Sequence, residues 1–328
     1  MTDLFFSIII PVFNRPDEVE ELLESLSKQT DKGFEILVIE DGSTICCEKV
    51  CKQYEKLLTL RYFLKPNSGR SEARNFGMER AIGNYFVIFD SDCIIPPFYF
   101  EVVRKVLIKN YVDCYGGPDN ADRSFSNMQK AINYSMTSVL TTGGIRGATK
   151  QREKFSPRSF NMGISKEVFE KVGGYKNMIG EDIDLSIRIK AAGFKTTLIK
   201  EAYVFHKRRV DLKKFYKQVN TFGKGRVLLH HKHKGSLKTV HALPLFFVLG
   251  NLGLILLSLV FLNPIFLLPT AIYTTALFFE SLIKTRSIII AFLSILTGFT
   301  QLFGYGFGFL GELFTGRASR KKQEELYK

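Results

Sequence analysis

Two aspartates that flank a single serine, Asp90 and Asp92, are the residues whose types and spacing most clearly permit chemistry in this sequence of 328 residues. They follow directly on Tyr85–Phe89, a run of aromatic and aliphatic residues. Carboxylate oxygens are the ligands that Mg2+ and Mn2+ prefer, and either ion could bridge a diphosphate to the protein. The triplet alone is a weak signal, because chance supplies about one in a chain of this size. Its plain alternative is a polar turn before a helix that begins at Pro96-Pro97.

The elements that would position these aspartates alternate between strand and helix. The predicted strands are Ser7–Val12, Glu35–Ile39, Leu60–Leu64 and Tyr85–Phe89, and the predicted helices are Asp17–Lys28, a stretch ending near Lys56, and Arg70–Ala81. Strand–helix–strand order repeated in this way predicts an α/β fold with a mostly parallel sheet flanked by helices. Ligands of such sheets bind beyond the carboxyl ends of the strands. Asn14, Asp41 and the two aspartates all fall there.

The pattern is looser from residue 98 to residue 206. A helix is predicted at Phe98–Lys109 and a strand near Val112–Gly116, followed by an ill-defined stretch to about Arg158. The remaining predicted elements are a strand at Ser159–Ile164, helices at Lys166–Val172 and Glu181–Ala192, and a strand at Lys195–Ile199.

The basic charge of the chain is confined to its C-terminal part. The net charge is +14, but residues 1–205 carry 28 Lys and Arg against 27 Asp and Glu, whereas residues 206–328 carry 18 against 5. The same part holds three apolar runs, Ala242–Leu262, Ile265–Ile283 and Ile288–Leu310, each long enough to be a membrane segment. An anionic membrane surface is therefore a better partner for this charge than nucleic acid.

These patterns predict four regions. They are an α/β domain at 1–206, a basic juxtamembrane segment at 207–240, two to three membrane segments at 241–314, and a basic tail at 315–328. The positive-inside rule places the α/β domain in the cytoplasm. Three complete spans would place the basic tail outside, so whether the third segment crosses the membrane stays open. Gly304 and Gly308 are spaced for close helix packing.

Six segments of the chain resemble, in order and spacing, the conserved blocks of glycosyltransferase family 2. They are Ser7–Thr30, Ile39–Thr44, Asn67–Gly83, Tyr85–Asp92, Asn161–Tyr175 and Gly180–Gly193. The resemblance covers about residues 5–206. It implies a GT-A-like fold that binds a nucleotide-sugar, and an inverting transfer reaction.

The resemblance also implies roles for residues on the donor side. Pro11 and Asn14 would line the nucleotide pocket, and Asp41 would contact the base, usually uracil. Arg74 would lie near the base and the diphosphate, where a guanidinium offers fixed donors to phosphates. Asp90 would face the ribose or the sugar of the donor. Asp92 and His206 would bind a divalent metal ion, Mg2+ or Mn2+. For His206, an ordinary surface histidine is an equal alternative.

On the acceptor side, the resemblance assigns Asn161, Glu181 and Asp182. Asp182 would be the general base, because an inverting transfer needs one carboxylate to accept the proton of the acceptor hydroxyl. The plain alternative for Glu181 and Asp182 is a pair of acids favoured by the dipole at a helix N-terminus.

Together these expectations describe a sugar transferase at the cytoplasmic face of the inner (plasma) membrane. It would use a nucleoside diphosphate sugar, in the first place a UDP-sugar. Its acceptor would be a lipid-linked or glycan acceptor of cell-envelope or surface polysaccharide or glycolipid synthesis.

A processive polysaccharide synthase is a weaker alternative, because Gln218–Arg226 lacks the Arg and Trp of the processive Gln-x-x-Arg-Trp motif. A nucleotidyltransferase would need a glycine-rich loop after the first strand, and Pro11–Pro16 contains no glycine. A catalytically silent membrane scaffold would have no reason to keep Asp41, Arg74, Asp90, Asp92 and Asp182.

Overall fold

In the computed structural model, which describes residues 4–120, 125–143, 155–207 and 209–316, the chain forms two units. Residues 4–120 and 155–207 belong to the first unit, and residues 125–143 and 209–316 belong to the second. The sequence prediction placed 125–143 inside an α/β domain at 1–206, whereas the structure groups this stretch with the C-terminal helices.

The first unit is built on a seven-stranded sheet with the order β3-β2-β1-β4-β8-β6-β9. Its strands are β1 (Phe6–Val12), β2 (Phe34–Asp41), β3 (Leu60–Lys65), β4 (Tyr85–Phe89), β6 (Cys114–Gly116), β8 (Asn161–Ser165) and β9 (Thr196–Leu198). The pairs β3–β2, β2–β1, β1–β4 and β6–β9 are parallel, and only β8 runs antiparallel to its neighbours β4 and β6. The prediction of a mostly parallel sheet is therefore confirmed.

Helices cover both faces of this sheet. They are α1 (Pro16–Ser27), α2 (Glu48–Tyr54), α3 (Arg70–Arg80), α4 (Tyr99–Lys109), α7 (Lys166–Val172) and α8 (Glu181–Ala191). Successive residues of β1 enter opposite cores: Ile8 and Ile10 pack with α1 and α4, and Ile9 packs with α3 and α8. A strand that is buried on both faces is apolar at most positions, and this explains the nearly continuous apolar runs in the sequence.

A second, three-stranded sheet lies in the same unit and was not predicted. Its strands are β5 (Cys93–Ile94), β7 (Asp119–Asn120) and β10 (Val204–His206), in the order β5-β10-β7. Strands of two or three residues are too short to show a period, so sequence patterns cannot reveal them.

The second unit contains α5 (Asn127–Thr137), α6 (Val139–Thr142), α9 (Leu212–Lys232), α10 (Thr239–Val260), α11 (Leu268–Thr285) and α12 (Ile288–Thr315). Within the described part of the chain, three helical segments are long and apolar enough to cross a membrane, namely 239–260, 264–285 and 288–315. Residues 125–143 belong with them because α5 packs against α9 through Ile132 and Met136, and Ser135 shares a 2.6 Å hydrogen bond with Thr297 of α12.

The predicted close packing at Gly304 and Gly308 is confirmed, and the helix they contact is α9. A Cβ atom at Gly304 would lie 2.5 Å from Cγ2 of Val219, and one at Gly308 would lie 2.1 Å from the backbone oxygen of Asn220. The Asn220 side chain donates to the Gly304 carbonyl at 3.1 Å. The missing side chains therefore let the two backbones approach.

Substitution of Gly308 by Ala should destabilise the second unit by about 1–3 kcal/mol, because the new methyl group overlaps backbone that cannot move aside cheaply. Gly311→Ala is the matched control in the same helix. A Cβ atom built at Gly311 has no heavy atom of the described residues within 4 Å, apart from its chain neighbours and the nearby backbone of its own helix. That change should be neutral, or stabilising by up to about 1 kcal/mol through helix propensity. Thermal unfolding of the detergent-solubilised full chain, followed by circular dichroism, measures both, and equal effects would contradict the packing argument.

Candidate active site

The carboxyl edge of the main sheet meets the small sheet beside the two aspartates that follow β4. Strand β5 begins directly after Asp92, and its first residue, Cys93, pairs with His206 of β10. The backbone N–H of Lys207 also donates to the Asp92 carbonyl at 3.0 Å. Strand pairing therefore brings the predicted residue His206 to the predicted residue Asp92.

The side chains of this pair are in direct contact. His206 Nε2 lies 3.0 Å from Asp92 Oδ1, and His206 Nδ1 lies 4.0 Å from Asp119 Oδ2 of β7. The ring of Phe160 stacks on the imidazole with 4.6 Å between centroids, which fixes the ring plane. Asp119 was not among the predicted site residues, because the strand that carries it could not be recognised from sequence.

The donor atoms of this cluster suit a hard divalent ion. Oxygen of Asp92 and nitrogen of His206 are both accepted ligands of Mn2+, while Mg2+ favours the oxygen more strongly. Cys93 lies within the same cluster, where the candidate ligand atoms are all within 4.8 Å of one another. Burial, followed by the nearby charges of Asp92 and Asp90, raises the pKa of the Cys93 thiol well above its ordinary value. A protonated, soft sulfur is a poor ligand for these ions, so Asp92 and His206 are the residues that fit.

Arg15, which the sequence did not single out, ties the loop after β1 to the turn after β4. Its Nη1 lies 2.7 Å from both carboxylate oxygens of Glu18 and 3.9 Å from Asp92 Oδ2. The Ser91 hydroxyl donates to the same Glu18 at 3.1 Å. A guanidinium thus stands next to the candidate metal ligand. Its position in the first-strand loop is the only sequence signal that could have indicated it.

Arg74 lies at the centre of the site and is only 1% exposed. Its Nη2 donates to Asp90 Oδ1 at 2.7 Å, and its Nη1 donates to Glu181 Oε1 at 3.0 Å. Tyr175 lies under the guanidinium, with 5.1 Å from Cζ to the ring centroid. The predicted residues Arg74, Asp90 and Glu181 are therefore brought together. In this arrangement Arg74 would act on a donor through Asp90.

Asp182 lies in the first turn of α8, where it is partly buried beside Arg158. Arg158 Nη1 is 3.5 Å from Asp182 Oδ2, and Oδ1 accepts the Ile183 N–H at 2.8 Å. Burial acts to raise the pKa of Asp182. The charges of Arg158 and Arg70 and the bond from Ile183 outweigh it, so the pKa is lowered overall. The carboxylate is therefore held in its ionised form, the form a general base needs, and the same charges make it a weaker proton acceptor than an ordinary aspartate.

Two predicted nucleotide-side residues hold loops in place. The buried Asp41 accepts from Lys65 Nζ at 2.6 Å and from the backbone N–H groups of Ser68 and Gly69 at 3.0 and 2.8 Å. Asn14 adopts a left-handed backbone with φ 55°, and its Oδ1 accepts the N–H groups of Thr44 and Ile45. Both side chains thus shape the rim of the sheet edge, and their contacts with a nucleotide stay a prediction.

Pro11 and Asn161 differ in their exposure. Pro11 is partly exposed near the end of β1, as a pocket-lining residue would be. Asn161 is completely buried, and it accepts from the Tyr99 hydroxyl at 2.5 Å and donates to the Ala202 carbonyl at 2.8 Å. In this conformation Asn161 connects α4 to the segment before β10 within the core, so any effect on an acceptor would be indirect.

The sequence matches the family model of glycosyl transferase family 2 over residues 7–173, and the chain belongs to this family. An uncharacterized glycosyltransferase of Rickettsia felis is 41% identical over 108 residues, which are 33% of this chain and 18% of that protein. The chain spans between 16% and 18% of the length of the first four curated relatives it matches. Glycosyltransferase AglE of Haloferax volcanii is 26% identical over 263 residues, 75% of this chain and 81% of that protein.

The fold is also shared with a solved structure. Mannosyltransferase PcManGT from Pyrobaculum calidifontis, solved with GDP-Man and Mn2+, superposes with a TM-score of 0.62 at 15% identity, covering 97% of this chain and 89% of that chain. At this identity the match supports the fold alone, which is GT-A-like. In this chain, apolar helices form the C-terminal part.

Replacement of Arg74 by Leu should destabilise the first unit by about 3–5 kcal/mol, because it leaves the carboxylates of Asp90 and Glu181 without their shared buried cation. Arg80→Leu is the control on the same helix, since Arg80 is exposed and its ion pair with Glu79 spans 3.5 Å. That change should cost less than about 1 kcal/mol. Urea unfolding of the full chain in detergent, followed by tyrosine fluorescence, compares the two. Similar losses would show that burial of the Arg74 network adds nothing to stability.

Proposed function

We propose that this chain transfers a sugar from a nucleoside diphosphate sugar, with inversion at the anomeric carbon, to a membrane-associated acceptor. The product would belong to cell-envelope or surface polysaccharide or glycolipid synthesis. The observation that carries the proposal is the contact of Asp92 with His206, 3.0 Å apart, at the carboxyl edge of a family 2 sheet beside the Asp90–Arg74 pair.

The donor would bind across the ends of β1, β2 and β4. Pro11, Asn14 and Asp41 would bound the nucleotide pocket, for which a UDP-sugar is the first candidate. Asp90, oriented by Arg74 at 2.7 Å, would accept hydrogen bonds from the ribose or sugar hydroxyls. The GDP-Man held by the mannosyltransferase of similar fold makes GDP-sugars the next donors to test.

A divalent cation held by Asp92 and His206, Mg2+ or Mn2+, would neutralise the charge that develops on the departing diphosphate. The Mn2+ in the mannosyltransferase of similar fold supports the choice of ion. Phe160 and Asp119 would keep the imidazole of His206 in the orientation seen here.

Asp182 would serve as the general base on the acceptor side, directly after Glu181 at the start of α8. Asn161 is buried in the core and would act on the acceptor only indirectly. The acceptor hydroxyl oxygen would form a bond to the anomeric carbon while the bond from that carbon to the diphosphate oxygen breaks. The hydroxyl proton would move to the Asp182 carboxylate, which its lowered pKa keeps ionised beforehand.

The second unit supports a membrane location for the reaction. Its three apolar helices provide an anchor, and the eleven Lys and Arg at 207–238 favour the cytoplasmic face of the inner membrane. An anchor of this kind confines the enzyme and a lipid-linked acceptor to one surface and so raises their effective concentration. A lipid-linked saccharide or polyprenyl phosphate is the acceptor class we propose, with membrane lipids as the surrounding partner.

Asp182→Asn should slow transfer strongly while leaving donor binding intact, because the amide keeps the shape of the side chain but cannot take the proton. The expected loss is on the order of 100- to 10,000-fold. Membrane vesicles that carry the full chain are supplied with UDP-glucose, UDP-galactose, UDP-GlcNAc or GDP-mannose plus Mn2+ or Mg2+, and labelled sugar in the lipid and glycan fractions is counted. Binding of UDP with Mn2+ is measured by calorimetry. Transfer at a normal rate by the variant would remove Asp182 from the role of base.

Asp92→Ala should eliminate the part of nucleotide binding that depends on the metal, since it removes the only carboxylate in contact with His206 Nε2 in the described structure. Calorimetric titration of UDP with and without Mn2+ measures this dependence. Glu170→Ala, which removes one exposed carboxylate of α7, is the control and should bind as the wild type does. An unchanged Mn2+ effect in Asp92→Ala would contradict the proposed metal site.

A further inference from the structure

Glu181 precedes the proposed base directly and is the first residue of α8. Its side chain is only 2% exposed, so it cannot be a major contact for an acceptor. A buried carboxylate next to a partly exposed one needs a separate explanation, because burial of an uncompensated charge is costly.

Both oxygens of Glu181 are held by arginines of α3. Oε1 accepts from Arg74 Nη1 at 3.0 Å, and Oε2 accepts from Arg70 Nη2 at 2.8 Å. Arg70 and Arg74 are four residues apart and therefore lie on the same face of the helix. Two separate donors on one rigid element fix the position of the carboxylate and also its rotation.

The same helix holds the chain that leads into α8. The Ser71 hydroxyl donates to the Lys176 carbonyl at 3.2 Å. Asn75 donates to the Tyr175 carbonyl and accepts its N–H, both at 2.8 Å. Helix α3 therefore fixes residues 175–181 at several points, with Glu181 as the last.

The position of Asp182 depends on this attachment. Gly180 enters α8 in a left-handed conformation with φ 79°, so the chain turns sharply just before the helix. The Asp182 carboxylate accepts the N–H of the next residue, Ile183, at 2.8 Å, which makes its direction depend on the backbone of this first turn. Any rotation of Glu181 about the turn would move Asp182 with it.

We propose that Glu181 is a positioning residue for the base: the clamp formed by Arg70 and Arg74 holds Glu181, and Glu181 holds the first turn of α8 so that Asp182 faces the acceptor hydroxyl. The proposal rests on the assignment of Asp182 under Proposed function and adds the residues that orient it. Because Arg74 also binds Asp90, one guanidinium connects the proposed donor side with the base.

Glu181→Gln should lower kcat for sugar transfer on the order of 10- to 100-fold. A carboxamide has one acceptor oxygen in place of two, so the hydrogen bond from one of the two arginines is lost. The resulting small displacement of Asp182 has an effect of this size, because Asp182 is a reacting group. The KM for the donor should change less than about threefold, since Asp90 keeps its bond to Arg74. The vesicle assay with the four nucleotide-sugars gives kcat and KM, and calorimetry of UDP with Mn2+ gives the binding affinity.

Asp184→Asn is the matched control, because Asp184 is a buried acid of the same helix and is paired with Arg188 at 2.8 Å. Its kcat should stay within about twofold of the wild type.

A double variant separates positioning from general structural damage. If Glu181 acts through Asp182, then Glu181→Gln should cause no further loss in the residual rate of Asp182→Asn, since the group to be positioned is gone. A normal kcat in Glu181→Gln, an equal loss in Asp184→Asn, or a further tenfold loss in the double variant would each overturn the proposal. Transfer at a normal rate in Asp182→Asn contradicts the base assignment itself and is seen in that single variant. Absence of transfer by the wild type with every sugar would instead contradict the proposed function.

Discussion

The buried guanidinium of Arg74 is the interaction on which the site depends. It lies between Asp90, at the end of β4, and Glu181, at the start of α8, with Tyr175 beneath it. Removal of a cation from water is costly unless carboxylates and hydrogen bonds replace the solvent, and here two carboxylates do so. The bridge thus connects the end of β4 directly to the start of α8.

The surrounding elements follow from the need to bring polar ends to one edge. Strands β1, β2 and β4 are apolar on both faces and place their carboxyl ends together. The small sheet then supplies His206 and Asp119 beside Asp92. The rigid core carries the aspartates, while loops fastened by Asp41 and Asn14 form the rim. The division is typical of α/β proteins, in which strands position the residues and loops complete the pocket.

Much of this arrangement could be predicted from local sequence. The periods of the apolar residues place four strands of the main sheet, and the D-x-D triplet falls at the end of one of them. The apolar runs after residue 241 predict membrane segments, and three helical segments of the described residues there are long and apolar enough to cross a membrane. The paired glycines at 304 and 308 predict a close helix contact, but the spacing could not show that α9 is the helix they meet. The short strands β5, β7 and β10 were missed, because two or three residues carry no period. Arg15 was missed because its approach to Asp92 joins segments that are distant in the sequence.

The sequence by itself determined the fold class, the edge of the sheet at which a ligand is predicted to bind, and the chemical types of the side chains there, since each of these follows from local periodicity and residue identity. Only the tertiary structure decided which polar groups are partners. Arg74 and Glu181 are 107 residues apart in the chain, and their bond exists because α3 and α8 pack on the same face of the sheet. The burial of Asn161 and of Arg74 has the same physical reason. Buried polar groups form hydrogen bonds with partners in distant segments of the chain, and local sequence patterns do not predict which segments meet.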